Sequence, residues 1–413
     1  MPPKEPALKR VISLPLLVLY GLGVSIGAGI YVLIGEAAAI AGAYTPLSFV
    51  LAAIVMVFVA SSFAELSGRL PQSAGEAVYV KAGFRSNKMA LLTGALVLIS
   101  GTVSAAAITI GGVGYLLELI PLSRVGMIFA VVLLMGAIAA WGIKESVLFA
   151  AIFTVLEVLG LFAIIVAGFW SQPDLFSRLP EVIPAWGDTA AIGAILSTSL
   201  IAFFAFIGFD NVVNLVEETK NPAKTMPRAI YITLAITTVL YFLVSAVAVL
   251  AVPLDSLATS AAPVRLLFEQ LTHSSPLTIT LIAVVATLNG IVLQIIMGAR
   301  VLYGLSANGD IPAIFGRVNS KTGTPLFSTL LITLAILALA LFFPIGVLAA
   351  FTAQLVLVVF IFTNIALILL KLRGTPAPEG IYTVGIWQPI LGTVGCLVLL
   401  LVPLLLEQHI HFL

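Results

Sequence analysis

The sequence predicts an all-α integral membrane protein with about eleven membrane-spanning helices. Of its 413 residues, 61% are hydrophobic and only 9% are charged, whereas about 25% of the residues of a soluble protein are charged. Apolar runs of about 20 residues, the length that a helix needs to cross a bilayer, recur along the whole chain. The net charge of +1 indicates no nucleic-acid partner. Most of the chain is therefore expected to lie in a lipid bilayer.

Polar residues, prolines and glycines bound the apolar runs and give the expected limits of each span. The eleven spans are predicted at 12–41, 46–68, 89–120, 122–142, 147–170, 190–217, 226–251, 277–306, 326–343, 345–371 and 387–406. The first run is too long for a signal peptide, so it is predicted to remain as an uncleaved span.

The distribution of basic residues predicts the orientation of the chain. The chain has 19 lysines and arginines. With the N-terminus in the cytoplasm, all of them fall on the cytoplasmic side except Arg124, Arg178 and Arg265. An excess of positive residues marks the cytoplasmic side. Eleven crossings then place the C-terminus outside. The expected location is the cell membrane, either a plasma membrane or a bacterial inner membrane.

Several classes of function lack their usual sequence signals. Cys396 is the single cysteine and none of the three histidines is paired with it, so the sequence predicts neither a disulfide framework nor a zinc site. We find no nucleophile–base pair for an enzyme and no filter-like segment of a channel. The protein is therefore expected to be a non-enzyme without a cofactor, and a transporter fits the composition better than a channel.

Span one contains a cluster of glycines near the middle of the membrane. It reads GLGVSIGAGIYVLIG and includes Gly21, Gly23, Gly27 and Gly29. Each glycine within a helix costs up to about 1 kcal/mol relative to alanine, so the cluster needs a reason. The two alternatives are close packing against another helix and a break in the helix.

Span six favours the second alternative, because it carries an acid beside a glycine. It reads FFAFIGFDNVVNLVEE, with Gly208 followed by Asp210, and an ionisable side chain in a span usually faces a cavity or the bundle interior. Spans one and six open two halves of five helices, 12–170 and 190–371. Halves with an odd number of spans insert in opposite orientations.

Broken helices at matching positions of two inverted halves indicate the binding site of a transporter. The expected organisation is a cytoplasmic tail (1–11), a first repeat (12–170), an external linker (171–189), a second repeat (190–371), and an eleventh helix with a short external tail (372–413).

Breaks in helices one and six would expose backbone groups to a bound solute. A half-helix beginning near Ala28 and Gly29 would offer free N–H groups to a carboxylate. Half-helices ending near Ser25 and Phe206 would offer carbonyl oxygens to an ammonium group. The backbone could thus bind both charges of an α-amino acid.

Four segments resemble the amino acid–polyamine–organocation superfamily, which has a five-plus-five inverted-repeat fold. They are IGAGIY, FFAFIGFDNV, EETKNPAKTMPRAI and ARVLYGLSANGDIP, and with the span pattern the resemblance covers nearly the whole chain. It implies a secondary transporter that moves an amino acid by alternating access, coupled to protons or as an exchanger. Most members have twelve spans, one more than predicted here, and Ala28 replaces a serine that many members carry.

The resemblance also implies roles for individual residues. The substrate carboxylate would meet the backbone around Gly27, Ala28 and Gly29, and the amine would meet carbonyl oxygens near Ser25, Phe204 and Ile207. Phe204 matches an aromatic gate. Asn289, a polar residue within span eight, is either an interhelical contact or part of the cavity wall. The predicted substrate-binding residues are Ser25, Ile26, Gly27, Ala28, Gly29, Phe204, Phe206, Ile207, Gly208 and Asn289.

Glu157 and Asp210 are the predicted coupling or gating acids, together with Phe204 as a gate. Glu157 stands in span five where several proton-coupled and exchanging members carry a lysine. It could be a hydrogen-bonded structural residue, a proton carrier or an anchor for a cationic group. Asp210 could instead form a structural hydrogen bond to the broken helix. Two buried acids leave a transporter of polyamines or organic amines as the alternative function.

Two further expectations concern the ends of the spans. The stretch 71–88 predicts either an amphipathic helix at an inner gate or an ordinary loop. Glu36, Glu65 and Glu118 lie close to span ends and are expected at the membrane interface.

Overall fold

A computed structural model describes residues 10–72, 75–141, 147–307, 311–320 and 322–410. Within these ranges the chain is helical, and its β structure is one isolated bridge between Ile12 and Thr219. The α-helices are α1 (Leu14–Ala41), α2 (Thr45–Arg69), α3 (Gly75–Phe84), α4 (Asn87–Leu117), α5 (Arg124–Trp141), α6 (Val147–Ser171), α7 (Leu175–Arg178), α8 (Thr189–Phe206), α9 (Pro222–Ala251), α10 (Leu254–Thr259), α11 (Pro263–Thr272), α12 (Leu277–Ala307), α13 (Leu326–Phe342), α14 (Ile345–Leu372) and α15 (Trp387–Ile410).

Each predicted span coincides with one of these helices to within a few residues, apart from span six. That span consists of α8 followed by a 3-10 helix, Phe209–Glu218. Prolines begin several helices, as in α2 and α9, because proline at the first positions needs no hydrogen-bond donor. The stretch 71–88 contains α3, so the segment is helical and not an ordinary loop. Its role at an inner gate stays a prediction.

The long helices have the length and hydropathy of membrane spans. Eight stretches among the described residues qualify, and the shorter apolar helices α13 and α15 add to them. One stretch, Leu14–Arg69, is 56 residues long because α1 and α2 are joined with little interruption. Large apolar side chains such as Leu134, Phe162 and Val239 are exposed on the outside of the bundle, as expected of a surface that faces lipid. The chain is a multi-pass membrane protein.

α1 is continuous through its glycine cluster, so the prediction of a broken helix 1 was wrong. The physical reason is that the glycines permit close packing. A Cβ atom on Gly29 would lie 2.5 Å from the Cα atom of Ala205 in α8, and one on Gly21 would lie 2.8 Å from Oγ1 of Thr233 in α9. A Cβ on Gly23 would overlap Thr154 of α6. The helix therefore leaves no free N-terminus at Ala28, and the surroundings of Ala28 and Gly27 lie outside the described side chains.

The centre of the bundle is formed by α1 and α8, which pack against each other. α6 and α9 contact α1 on other sides, and α2 packs against both α8 and α9. α4 packs against α12 and α14. α8 also packs against α14, and the polar residues described below meet just beyond the C-terminal end of α8.

One end of the bundle is held together by backbone hydrogen bonds and buried charges. We call it the basic end, and it carries Arg69, Lys88 and Arg300. There the N–H of Ile12 donates to the oxygen of Glu218 over 3.0 Å, and the N–H of Lys220 donates to the oxygen of Ile12 over 2.9 Å. The start of α1 is thereby joined to the end of the 3-10 helix.

Glu65 lies near the end of α2, at the basic end, and is fully buried among protein groups. Its carboxylate contacts Nε of Arg69 at 2.8 Å and Nζ of Lys371 at 2.7 Å. The N–H of Val384 also donates to it over 2.7 Å. Burial of this charge is tolerated because two cations and an amide surround it, and the cluster fixes the segment after α14 against α2.

Candidate functional site

The break in span six is confirmed, and it lies at Ile207 and Gly208. α8 ends at Phe206, and Ile207 is extended with φ −63° and ψ 129°. Gly208 has φ 128°, a region that glycine adopts without the cost that a Cβ would impose. A Cβ atom on Gly208 would also lie 2.8 Å from the backbone oxygen of Val24 in α1. The break therefore requires glycine for both its conformation and its contact with α1.

Asp210 caps the second part of the broken helix. Its Oδ1 accepts a hydrogen bond of 2.8 Å from the N–H of Gly208, and the N–H of Asn211 donates to the oxygen of Gly208 over 3.0 Å. The hydrogen bond that the structural alternative predicted for Asp210 is therefore present, and its role in coupling or gating stays a prediction. The same carboxylate fills the position at this helix start where a substrate anion could otherwise bind.

A small cavity of about 50 Å³ adjoins the break. Ile207 and Asp210 of the predicted site line it, together with side chains of α4, α12 and α14. Its polar lining consists of Ser100, Ser104, Asp210, Asn211, Gln294 and Thr352. We call this space the break cavity. It offers hydroxyl and amide groups that can orient a small polar ligand.

The break cavity differs in part from the cavity that the sequence predicted. Gln294 lines it in place of Asn289, which lies elsewhere on α12. Ser100, Ser104 and Thr352 were not predicted, because serine and threonine are common in membrane helices and bond to their own backbone. Their spacing alone gives no signal that separates a cavity wall from ordinary packing.

A larger cavity of about 890 Å³ opens at the basic end, and we call it the basic vestibule. It lies between α3, α4 and α12 and is lined by Glu76, Lys81, Lys88 and Arg300 among others. Val97 of α4 borders both this vestibule and the break cavity. The two spaces are therefore neighbours, separated at the level of Asp210.

A third cavity of about 210 Å³ lies towards the opposite end of the bundle. Glu36 of α1 and Arg124 of α5 line it, together with Ile345 at the start of α14. Glu36 is half-buried and lines this cavity. Its place at the membrane interface stays a prediction. Glu118, the residue directly after α4, forms an ion pair of 3.0 Å with Arg265 of α11.

Tyr241 of α9 joins the two central helices and was not predicted. Its hydroxyl lies 2.7 Å from the backbone oxygen of Ser25 and 2.8 Å from that of Ala205. Its ring packs edge-on against Phe206, with 5.1 Å between the ring centroids. The oxygen of Ser25, predicted to receive a substrate ammonium, thus already accepts a hydrogen bond from the protein.

Phe204 is buried, with 6% of its surface exposed. Its backbone oxygen accepts a hydrogen bond of 3.1 Å from the N–H of Ile207, and its side chain does not line the break cavity. Its role as a gate stays a prediction. Ile26 is also buried within α1.

Glu157 of α6 is buried, with 3% of its surface exposed. Its Oε2 lacks a hydrogen-bond partner among the described residues, as does Oγ of Ser25. Its carboxylate lies near the hydroxyl groups of Tyr31 and Tyr241, and its backbone oxygen accepts a bond of 2.8 Å from Tyr31. A buried carboxyl without a charged partner disfavours ionisation, so this position can hold a neutral, protonated acid.

An interrupted helix beside a polar cavity, within a bundle of apolar helices, is typical of the binding site of a membrane transporter. The amino acid permease family matches residues 12–410 of the sequence. The chain belongs to this family, which confirms the resemblance to the amino acid–polyamine–organocation superfamily.

Curated relatives cover most of the chain at moderate identity. A branched-chain amino acid permease of Bacillus subtilis, BcaP, is 29% identical over 96% of this chain and 89% of the permease. A methylthioribose transporter of the same organism is 29% identical over 89% of this chain and 82% of the transporter. The vacuolar cationic amino acid transporter 4 of Arabidopsis thaliana is 30% identical over 88% of this chain and 63% of its own length. The family, the branched-chain amino acid permease and the cationic amino acid transporter support amino acid transport.

Proposed function

We propose that the chain is a secondary active transporter that moves an amino acid across the cell membrane by alternating access, coupled to protons or as an exchanger. The observation that carries this proposal is the break at Gly208 beside the polar break cavity, in a chain of the amino acid permease family. The basic end is proposed to face the cytoplasm, because basic residues concentrate there. The five-plus-five inverted repeat is part of the same proposal.

The substrate is proposed to bind between α1 and the break, with its side chain in the break cavity. Its carboxylate would meet the backbone at Gly27–Gly29 and its ammonium group the carbonyl oxygens near Ser25 and Phe206. In the described conformation α1 is continuous through these glycines, and the hydroxyl of Tyr241 donates a hydrogen bond to the backbone oxygen of Ser25. Substrate binding must therefore replace protein hydrogen bonds, which links occupancy of the site to a local change in α1.

The lining of the break cavity supports a neutral amino acid as the substrate. Ser100, Ser104 and Gln294 are uncharged, and the carboxylate of Asp210 is already bonded to Gly208. The alternative is a transporter of polyamines or organic amines in which Glu157 and Asp210 contact the cation. The observation that favours it is the buried Oε2 of Glu157, which lacks a partner among the described residues.

Transport by purified protein in liposomes tests both functions. Labelled leucine, arginine, methylthioribose and putrescine are each offered, with and without a pH gradient, and counterflow is measured separately. We expect counterflow of an amino acid. Transport of putrescine alone would replace the main proposal with the amine alternative.

A pair of variants tests the break cavity itself. Ser104→Leu fills the cavity and should abolish amino acid counterflow, whereas Ser177→Leu alters an exposed serine on α7 and should transport like the parent. Both variants are first checked for thermal stability. Full counterflow in a folded Ser104→Leu protein would remove the break cavity from the transport path.

A further inference from the structure

Glu76 of α3 and Asp210 of the broken helix meet at the boundary between the two cavities. Glu76 lines the basic vestibule, and Asp210 lines the break cavity. Their carboxyl groups form a hydrogen bond with each other. Glu76 is buried, with 7% of its surface exposed, although its helix is not among the candidate spans. The pair therefore lies between two neighbouring cavities, one lined by each acid.

Two carboxyl groups can share a hydrogen bond only if one of them carries a proton. Asp210 already accepts the N–H of Gly208, which suits the ionised form. Glu76 is therefore the group that holds the proton and donates. Burial raises the pKa of the Glu76 carboxyl, and the neighbouring charge of Asp210 raises that pKa further.

We propose that Glu76 and Asp210 form a proton site whose occupancy keeps the route between the break cavity and the basic vestibule closed. This inference rests on the proposed transport function and names the residues that couple it to protons. When the proton leaves, two adjacent carboxylates repel each other, and α3 moves away from the break.

The charges around the pair favour release of the proton towards the vestibule. Lys81 of α3, Lys88 of α4 and Arg300 of α12 line the vestibule together with Glu76. Once Glu76 turns into that space, these cations stabilise its carboxylate. Tyr79 lies near Glu76 on the same helix. The residues that α14 adds to the cavity linings are uncharged: Thr352, Val356, Val359 and Phe360.

The N-terminus of α3 is packed tightly enough for the pair to control its position. A Cβ atom on Gly75 would lie 2.8 Å from Cγ2 of Val213 in the 3-10 helix. α3 and the broken helix are thus in direct contact beside the two acids. If the two carboxylates separate, the contact between Gly75 of α3 and Val213 of the 3-10 helix must separate as well.

Transport by Glu76→Gln and Asp210→Asn tests the proton site, with Glu379→Gln, an exposed acid in the segment after α14, as the matched control. The parent and control should accumulate the amino acid about tenfold for each unit of pH gradient if one proton moves per substrate. Glu76→Gln should keep counterflow, which needs no net proton release, but should lose pH-driven accumulation. Asp210→Asn should lose pH-driven accumulation too, and its counterflow is measured separately because Asp210 also lines the break cavity.

A thermal readout separates this inference from the proposed function. A raised pKa of Glu76 means that the folded protein holds a proton that the unfolded chain loses, so stability falls as the pH rises from the ordinary glutamate value towards the raised one. This fall should be present in the parent and in Glu379→Gln, and reduced in Glu76→Gln.

Normal pH-driven accumulation in a folded Glu76→Gln protein would overturn the proton site, as would an unchanged fall of its thermal stability with pH. If the parent moves no amino acid, the proposed function fails by itself, and the thermal comparison still decides whether Glu76 holds the proton.

Discussion

Spans one and six both have glycine at the centre of the bundle. α1 continues through its glycines to Ala41, whereas α8 ends at Phe206, two residues before Gly208. In α1, Gly29 lies against the backbone of Ala205, and its helical neighbours keep their hydrogen bonds. In span six, Gly208 has a positive φ and Asp210 supplies an acceptor for its N–H. The difference teaches that glycine permits a break but does not cause one.

A break needs a second feature that satisfies the freed backbone groups. An unsatisfied N–H inside a membrane protein costs several kcal/mol, and a nearby carboxylate removes that cost. Within the sequence SIGAGI of α1 the only polar side chain is that of Ser25. In span six, by contrast, the carboxylate of Asp210 stands two residues after Gly208. The predictions below test this distinction, from the largest expected effect to the smallest.

Gly208→Ala should have the largest effect. A side chain at φ 128° costs about 1–3 kcal/mol in strain, and its Cβ would be forced against the oxygen of Val24, adding about 1–3 kcal/mol of overpacking. We expect a lower thermal midpoint in detergent and no amino acid counterflow. Gly94→Ala, in α4 with open space around it, should be as stable as the parent or more so. Equal stability of the two variants would contradict the strain argument.

Gly29→Ala should have a smaller effect, because its backbone is already helical. The new Cβ would contact Ala205 and separate α1 from α8 at a cost of about 1–3 kcal/mol, partly offset by the helix propensity of alanine. Gly304→Ala in α12, which meets no atom within 4 Å, is the control. A thermal midpoint of Gly29→Ala equal to that of the control would mean that close packing is not the reason for this glycine.

Tyr241→Phe should cost about 1–2 kcal/mol. It removes the one hydroxyl proton within reach of two buried carbonyl oxygens but keeps the ring contact with Phe206. It also frees the oxygen of Ser25, so the apparent affinity for the amino acid should rise. Tyr231→Phe is the control, because that hydroxyl meets Tyr382 at 3.2 Å in an exposed position. A loss of affinity in Tyr241→Phe would show that this oxygen does not bind the substrate.

Glu157→Gln should have the smallest effect, because glutamine has nearly the same shape as a protonated glutamate. If Glu76 and Asp210 hold the coupling proton, the variant should keep both counterflow and pH-driven accumulation. Loss of accumulation alone would identify Glu157 as the proton carrier. Weaker transport of amines, with neutral amino acids unaffected, would support the alternative function.

The sequence predicted the helices well because their limits depend on local features. Proline, glycine and charge end each apolar run, and the pairing of Gly208 with Asp210 is visible within three residues. The continuity of α1 was not predictable, because a glycine serves a break or a close contact equally well until its neighbours are known. Tyr241, Glu65 and Glu76 were missed for a related reason. Their partners lie far away in sequence, as with Glu65 and Lys371, and no local pattern indicates which helix faces them.

The backbone pairing of Ile12 with Glu218 and Lys220 has a consequence for the order of assembly. It joins segments separated by about half of the 413 residues, so it cannot form until the sixth span has left the ribosome. Until then the backbone of Ile12, a residue that is buried in the folded protein, lacks these hydrogen-bond partners. α1 therefore enters the membrane before its first residues are fixed. Contacts between segments that are distant in sequence form slowly. We therefore expect the pairing of Ile12 with Glu218 and Lys220 to form late in biogenesis, after the second half of the chain has been inserted.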